Sequence, residues 1–213
     1  MLRKETVTAA TLELLNNLML DKELDAFYLA GGTALSLQIG HRISVDIDLF
    51  SNTSFDQDKI SVYLETERKL QLNFLDRNTI KGEINHVQVD LITHAYPLVN
   101  PIVSVAGIRL ASLEDIAAMK LNAIIGNGSR LKDFVDVAFL SSHLSLERMI
   151  AAYEKKYQTR NPVMPLKSLS YFNDINHNEP IQLIGVKYQW DVIEQRLKGM
   201  MQSPVNVFPK IPS

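Results

Sequence analysis

Apolar residues recur at helical spacing over residues 5–20, where Ala9, Leu12, Leu15 and Leu18 share a face, so a helix is predicted there. Residues 26–30, Ala-Phe-Tyr-Leu-Ala, read as a short buried strand that Gly31-Gly32 breaks. A helix is predicted over 33–39, ending at Gly40, a residue favoured just past a helix C-terminus. Residues 45–50 alternate strictly as Val-Asp-Ile-Asp-Leu-Phe, the period of a strand with one buried face. Another helix is predicted over 56–69. Three strands follow at 70–75, 79–84 and 87–93, separated by Asp76-Arg-Asn78 and Asn85-His86, and turns this short imply an antiparallel meander.

From Ser112 onward the pattern is helical, and Ser112 with Asp115 three residues later forms a capping pair before an apolar run. Helices are predicted at 113–125, 131–143, 146–156 and 188–201. Asn161-Pro162 and Pro165 interrupt a stretch that receives no assignment. The last eleven residues, 203–213, hold three prolines and are expected to run over the surface. The chain thus reads as an α/β part, residues 1–111, followed by a helical part, residues 112–213, with no internal repeat.

Composition narrows the function classes. At 213 residues, with 46% hydrophobic and 22% charged side chains of mixed sign, the chain has the makeup of a folding globular protein. No apolar run approaches the roughly 18 residues of a membrane-spanning helix, and the start leads into an amphipathic segment, so a cytoplasmic location is expected. The absence of cysteine excludes disulfides, thiolate zinc sites, iron–sulfur clusters and a cysteine nucleophile, leaving oxygen or imidazole as metal donors. Charge is unevenly spread: residues 1–119 carry 16 acidic against 10 basic side chains, residues 120–213 carry 8 against 12. An acidic front suits a site that gathers cations, and a mildly basic rear is compatible with a polyanion without requiring one.

Candidate chemistry centres on Asp46 and Asp48. Two apart on a strand, they project to one side while Val45, Ile47 and Leu49 face the other. Adjacent carboxylates raise each other's pKa unless a cation lies between them, and a hard divalent ion, Mg²⁺ or Mn²⁺, matches the oxygen donors. A solvated acidic strand is the alternative, so the neighbours carry the argument. Upstream, Gly31-Gly32-Thr33 opens a helix, where free N–H groups and a hydroxyl suit phosphate; a simple turn capped by Thr33 is the plainer reading. Downstream, Asp90 lies opposite to Val87, Val89 and Leu91 and would bring a third carboxylate. Arg42 is a candidate clamp for a triphosphate or a surface arginine. Leu113, Ile116, Ala117, Lys120, Leu121 and Ile124 share a helical face, so Lys120 sits within an apolar stripe and needs a carboxylate or phosphate partner. Asp133 and Asp136 share a face near the next helix start. His86, His94, His143 and His177 lack metal-ligand spacing and read as structural or exposed, and Tyr28, Tyr171, Phe172 and Trp190 read as core.

Taken together, the glycine turn, Asp-x-Asp and the later acid resemble the nucleotidyltransferase superfamily. The chain is more closely similar to the AbiEii/AbiGii toxin family, through Leu29-Ala-Gly-Gly-Thr-Ala-Leu35 and His41-Arg-Ile-Ser-Val-Asp-Ile-Asp-Leu-Phe50. Asp115-Ile-Ala-Ala-Met-Lys-Leu-Asn-Ala123, Arg130-Leu-Lys-Asp-Phe-Val-Asp136 and Leu166-Lys-Ser-Leu-Ser-Tyr-Phe-Asn-Asp174 extend the likeness over most of the chain. The resemblance implies an α/β fold, a nucleotidyltransferase-like mixed sheet flanked by helices with a helical region after it. It further implies transfer of a nucleoside monophosphate from an NTP to a tRNA end or protein side chain, with Asp46, Asp48 and Asp90 as metal ligands. Gly31, Gly32, Thr33, Arg42 and Lys120 would bind nucleotide, Lys120, Asp133 and Asp136 would join the catalytic set, and an antitoxin protein is an implied partner. Thr33 stands where the wider superfamily has Ser. Rival readings are an inactive nucleotide-binding or interaction module and a metal-dependent phosphohydrolase; Leu49-Phe50 after the second Asp speaks against the latter.

Overall fold

The computed structural model describes residues 1–212, and the chain divides into two units, Met1–Ala111 and Ser112–Ser213. Residue 213, the end of the expected surface tail, lies outside the described residues.

The first unit is a seven-stranded mixed sheet with helices. Its elements are α1 (Ala9–Met19), β1 (Tyr28–Leu29), α2 (Gly31–Ile39), β2 (Ile47–Ser51), α3 (Gln57–Arg68), β3 (Gln71–Asp76), β4 (Thr79–Ile84), β5 (Val87–Thr93), β6 (Val103–Val105) and β7 (Ile108–Leu110). The strand order is β3-β4-β5-β2-β1-β7-β6. β2 runs parallel to β5 and β1 parallel to β7, while the remaining neighbours are antiparallel. The expected meander is present as β3-β4-β5, with Asn85 and His86 both at positive φ in its second turn, the twist a two-residue hairpin requires. Ile47, Leu49, Ile80, Val89 and Leu91, all at most 1% exposed, form the inner face of the sheet together with Leu29 and Leu110.

Local chemistry moved several boundaries. The helix expected over 5–20 starts late because Val7 and Thr8 are extended and the Thr8 side chain caps the Thr11 N–H. A single 3₁₀ turn, Lys4–Thr6, precedes it. Gly40, at φ +75°, closes α2 as its pattern predicts. The β6-β7 hairpin was not anticipated: each strand has three residues, and its turn is Ala106-Gly107, both at positive φ, a weaker signal than Asn-Gly. Arg109 on β7 donates to the carbonyls of Met19 (2.7 Å), Leu24 (3.0 Å) and Phe27 (2.7 Å), so one guanidinium ties the chain between α1 and β1 to the sheet. Asp21 joins this segment to α3 through Tyr63 and Arg68, with Arg68 Nη2 at 2.7 Å. Burial pushes its carboxyl up, but hydrogen bonds from Arg68, Tyr63 and the Glu23 amide outweigh burial and hold it below its ordinary value.

The second unit is helical: α4 (Leu113–Gly126), α5 (Leu131–Leu140), α6 (Leu146–Tyr157), α7 (Val163–Leu169) and α8 (Trp190–Gln202). Ser112 caps α4 through the Asp115 N–H at 3.0 Å, the pairing read from the sequence. α5 is buried on nearly every side, including its acids Asp133 and Asp136, which Lys120 neutralises. α7 fills part of the unassigned stretch. Pro162 stands at its N-cap and Pro165 in its first turn, where a missing N–H breaks no helical bond. Trp190 packs edge-on against Phe134 and Phe172, whereas Tyr171, expected in the core, is 49% exposed. The tail is fastened where Ser141 O accepts the Phe208 N–H and Arg196 lies over the Phe208 ring. No helix among the described residues is long and apolar enough to cross a membrane.

Candidate active site

β2 begins two residues later than its alternation implies. Ser44 N donates to Thr6 O, and the Thr33 hydroxyl bonds both Ser44 Oγ (2.9 Å) and the Asp46 carbonyl, so the approach segment is held by α2 and the N-terminal turn. Asp46 therefore stands exposed just ahead of the strand, and Val45, expected to face inward, is 44% exposed. Asp48 is a full member of the ladder. Its carbonyl accepts the Ala30 N–H at 3.0 Å, which docks the end of β1 beside it.

The glycine turn acquires a concrete steric reason. Gly31, at φ +67°, opens α2, and a Cβ on it would collide with the Asp48 carboxylate. Asp48 thus lies against the positive end of the helix, where a negative charge is favoured. A Cβ on Gly32 would collide with Arg42 Nη2. Arg42 is 4% exposed and donates to Ile43 O at 3.1 Å, so the guanidinium expected to grip a triphosphate is packed inside the fold. Thr33 is likewise fully buried, and its hydroxyl, expected on a phosphate, is directed to Ser44 and Asp46. Gly31→Ala is expected to lower activity and to cost about 1 kcal/mol or more of stability, since left-handed backbone strain adds to the displaced carboxylate. Parallel thermal melts and transfer assays check this, and an active, equally stable variant would refute the steric role.

Asp90 on β5 stands in register with Asp48 across the parallel pair, and the two share the face opposite the core. The sequence did not reveal that Lys81, opposite Asp90 on β4, makes an ion pair of 3.0 Å with it, while Gln88 Nε2 donates at 3.2 Å. The meander register would have placed Lys81 there. The donors on this face are oxygens, which fits a hard divalent ion in kind. Among the described residues, however, no three carboxylates or imidazoles are gathered as a metal cluster. Of the three acids, Asp48 and Asp90 stand in register, Asp46 lies just ahead of the strand, and Lys81 engages one oxygen of Asp90.

In the helical unit, Lys120 is 7% exposed, and its Nζ lies 2.6 Å from Asp133 Oδ1 and 2.7 Å from Asp136 Oδ2. A lysine in an apolar stripe thus has two carboxylates from α5, the pairing its burial demands. A second buried pair escaped the sequence reading. Lys156, with no exposure, lies 2.8 Å from Asp115 Oδ1, whose other oxygen accepts from Ser112 Oγ at 2.7 Å. Its neighbour Lys155 disguised it as part of an ordinary basic helix end.

Comparison with known proteins follows the same lines. An uncharacterised protein of Aquifex aeolicus is 32% identical over 178 residues, spanning 81% of this chain and 84% of that protein. JHP933 from Helicobacter pylori shares the fold at a TM-score of 0.54 and 18% identity over 92% of each chain. A candidate nucleotidyltransferase from H. pylori does so at 0.56 and 17%, covering 92% of this chain and 94% of its own. The family model for the nucleotidyl transferase AbiEii toxin of type IV toxin–antitoxin systems matches residues 13–100 and 64–188. With the glycine turn, the Asp-x-Asp motif and most of both units inside that match, the chain belongs to the AbiEii nucleotidyl transferase family.

Proposed function

We propose that this chain moves a nucleoside monophosphate from an NTP to an acceptor hydroxyl, an RNA end such as that of tRNA or a protein side chain. Pyrophosphate is the second product. The acceptor oxygen bonds to the α-phosphorus, the bond from that phosphorus to the bridging oxygen breaks, and the acceptor proton passes to a carboxylate, for which we assign Asp90. The observation that carries this reading is the in-register pair Asp48 and Asp90, with Asp48 seated against Gly31 at the start of α2. Asp46 and Asp48 would hold Mg²⁺ or Mn²⁺, which when bound would neutralise triphosphate charge and polarise the α-phosphate, while Asp90 serves as the base. The backbone N–H groups at the start of α2 orient phosphate oxygens. Lys120, Asp133 and Asp136 support the activity as a compensated cluster that sets α4 against α5.

In the cell we assign the protein as the toxin of a toxin–antitoxin or phage-defence pair, acting in the cytoplasm and held in check by an antitoxin protein. The test incubates the purified chain with Mg²⁺, each α-labelled NTP in turn, and a total RNA and protein extract. Label in a tRNA-sized band, or on a protein, is the expected result and names both nucleotide and acceptor class. Absence of label from every fraction overturns the reading in favour of a binding module.

A further inference from the structure

On β2, Phe50 follows Asp48 by two residues and so emerges on the same face, about 7 Å farther along the strand. The burial pattern of β2 agrees, with Ile47, Leu49 and Ser51 inside and Asp48 and Phe50 half-buried. Phe50 is in register with Ile92 on β5, two positions beyond the pairing of Asp48 with Asp90. The chain leaving β5 then adds two more rings. His94 stands edge-on to Phe50 with centroids 5.8 Å apart, and Tyr96 lies 4.8 Å from His94. This segment is anchored to the sheet: His94 N donates to Ser51 O at 2.7 Å, Tyr96 N to His94 O at 2.7 Å, and Asn52 Nδ2 to Tyr96 O at 3.1 Å. Tyr96 nevertheless remains 44% exposed. The three rings are fixed by backbone bonds beside the carboxylate face, tilted 85° and 50° to one another in turn, with Phe50 and His94 half-buried and Tyr96 outermost.

We propose that the exposed Tyr96 ring, backed by His94 and Phe50, stacks on a nucleobase, placed so that the sugar-phosphate of the same nucleotide reaches Asp48 and Asp90. The inference rests on the nucleotidyl-transfer reading and adds the ligand's ring to it. Stacking tolerates any base, because every base offers a π-face, so the platform favours nucleotides as a class. The base belongs either to the incoming NTP or to the terminal residue of a single-stranded RNA acceptor, and both present the same chemistry.

The test titrates the 213-residue chain, in Mg²⁺, with each NTP, a short single-stranded RNA and inorganic tripolyphosphate, comparing wild type with Tyr96→Ala and Tyr96→Phe. The expected result is about tenfold weaker binding of base-bearing ligands by Tyr96→Ala, near-normal binding by Tyr96→Phe, and unchanged tripolyphosphate affinity. A loss confined to NTPs assigns the platform to the incoming base, and a loss confined to RNA assigns it to the acceptor. Unaltered affinity of Tyr96→Ala for every ligand, or equal weakening toward tripolyphosphate, overturns the platform while nucleotidyl transfer by the wild type still stands. A wild type that binds none of the ligands and labels nothing removes both proposals.

Discussion

Asp48→Asn is expected to lower nucleotidyl transfer on the order of 10²–10³-fold, since in the proposed mechanism it removes charge that organises the reacting phosphates while keeping the side chain's shape. Asparagine still fits beside Gly31, and the strand keeps its backbone bond from Ala30 to residue 48. Steady-state assays of the variant, with circular dichroism as the folding control, check the prediction. Asp46→Asn provides the contrast. Asp46 stands exposed ahead of the strand, so a loss there reports ligand binding with no contribution from the ladder. Transfer at the wild-type rate by both variants would remove the carboxylate face from the chemistry.

The largest expected stability effect lies elsewhere, at Lys156. Lys156→Met removes the ammonium that balances the Asp115 charge, leaving the Ser112 hydroxyl on its other oxygen, in a site where both are essentially inaccessible. An uncompensated buried charge costs about 3–5 kcal/mol, and for a chain of this length that lowers the melting temperature by roughly 10 °C. The double variant Lys156→Met with Asp115→Leu is expected to recover most of the loss, because two apolar side chains leave no stranded charge. Ser112 still caps the helix through the backbone N–H of residue 115, so helix initiation is retained. Chemical denaturation of the two single variants and the double variant measures the coupling. A single variant within about 1 kcal/mol of wild type would show that the pair is solvated in solution, against its burial here.

Periodicity was a reliable guide wherever an element was long and one-sided. The meander strands β4 and β5 occupy the residues their alternation marks out, and α3 lies within one residue of its expected ends, capped by Asp56 and closed by Lys69. It was least informative for short or irregular pieces. Three-residue strands such as β6 and β7 hold too few positions to display a period, and the prolines around α7 resemble breakers until one sees that they stand in its first turn. At the site, the residue types and the spacing of Asp46 and Asp48 were legible, as was the need of Lys120 for an acidic partner. The directions in which Thr33 and Arg42 turn were not, because a buried hydroxyl and a solvent-facing one have the same sequence signature.

By itself the sequence determined the fold class, the glycine turn, the carboxylates and the absence of thiol chemistry, because each follows from residue type and local spacing. Tertiary structure alone decided that Asp48 meets Asp90 in register, that Gly31 makes room for Asp48, and that Lys156 is sealed against Asp115. Those pairings join residues 17 to 42 positions apart. They depend on the order of strands in the sheet and on which helix faces meet, and hydrophobic periodicity specifies which face of an element is buried without specifying its neighbour.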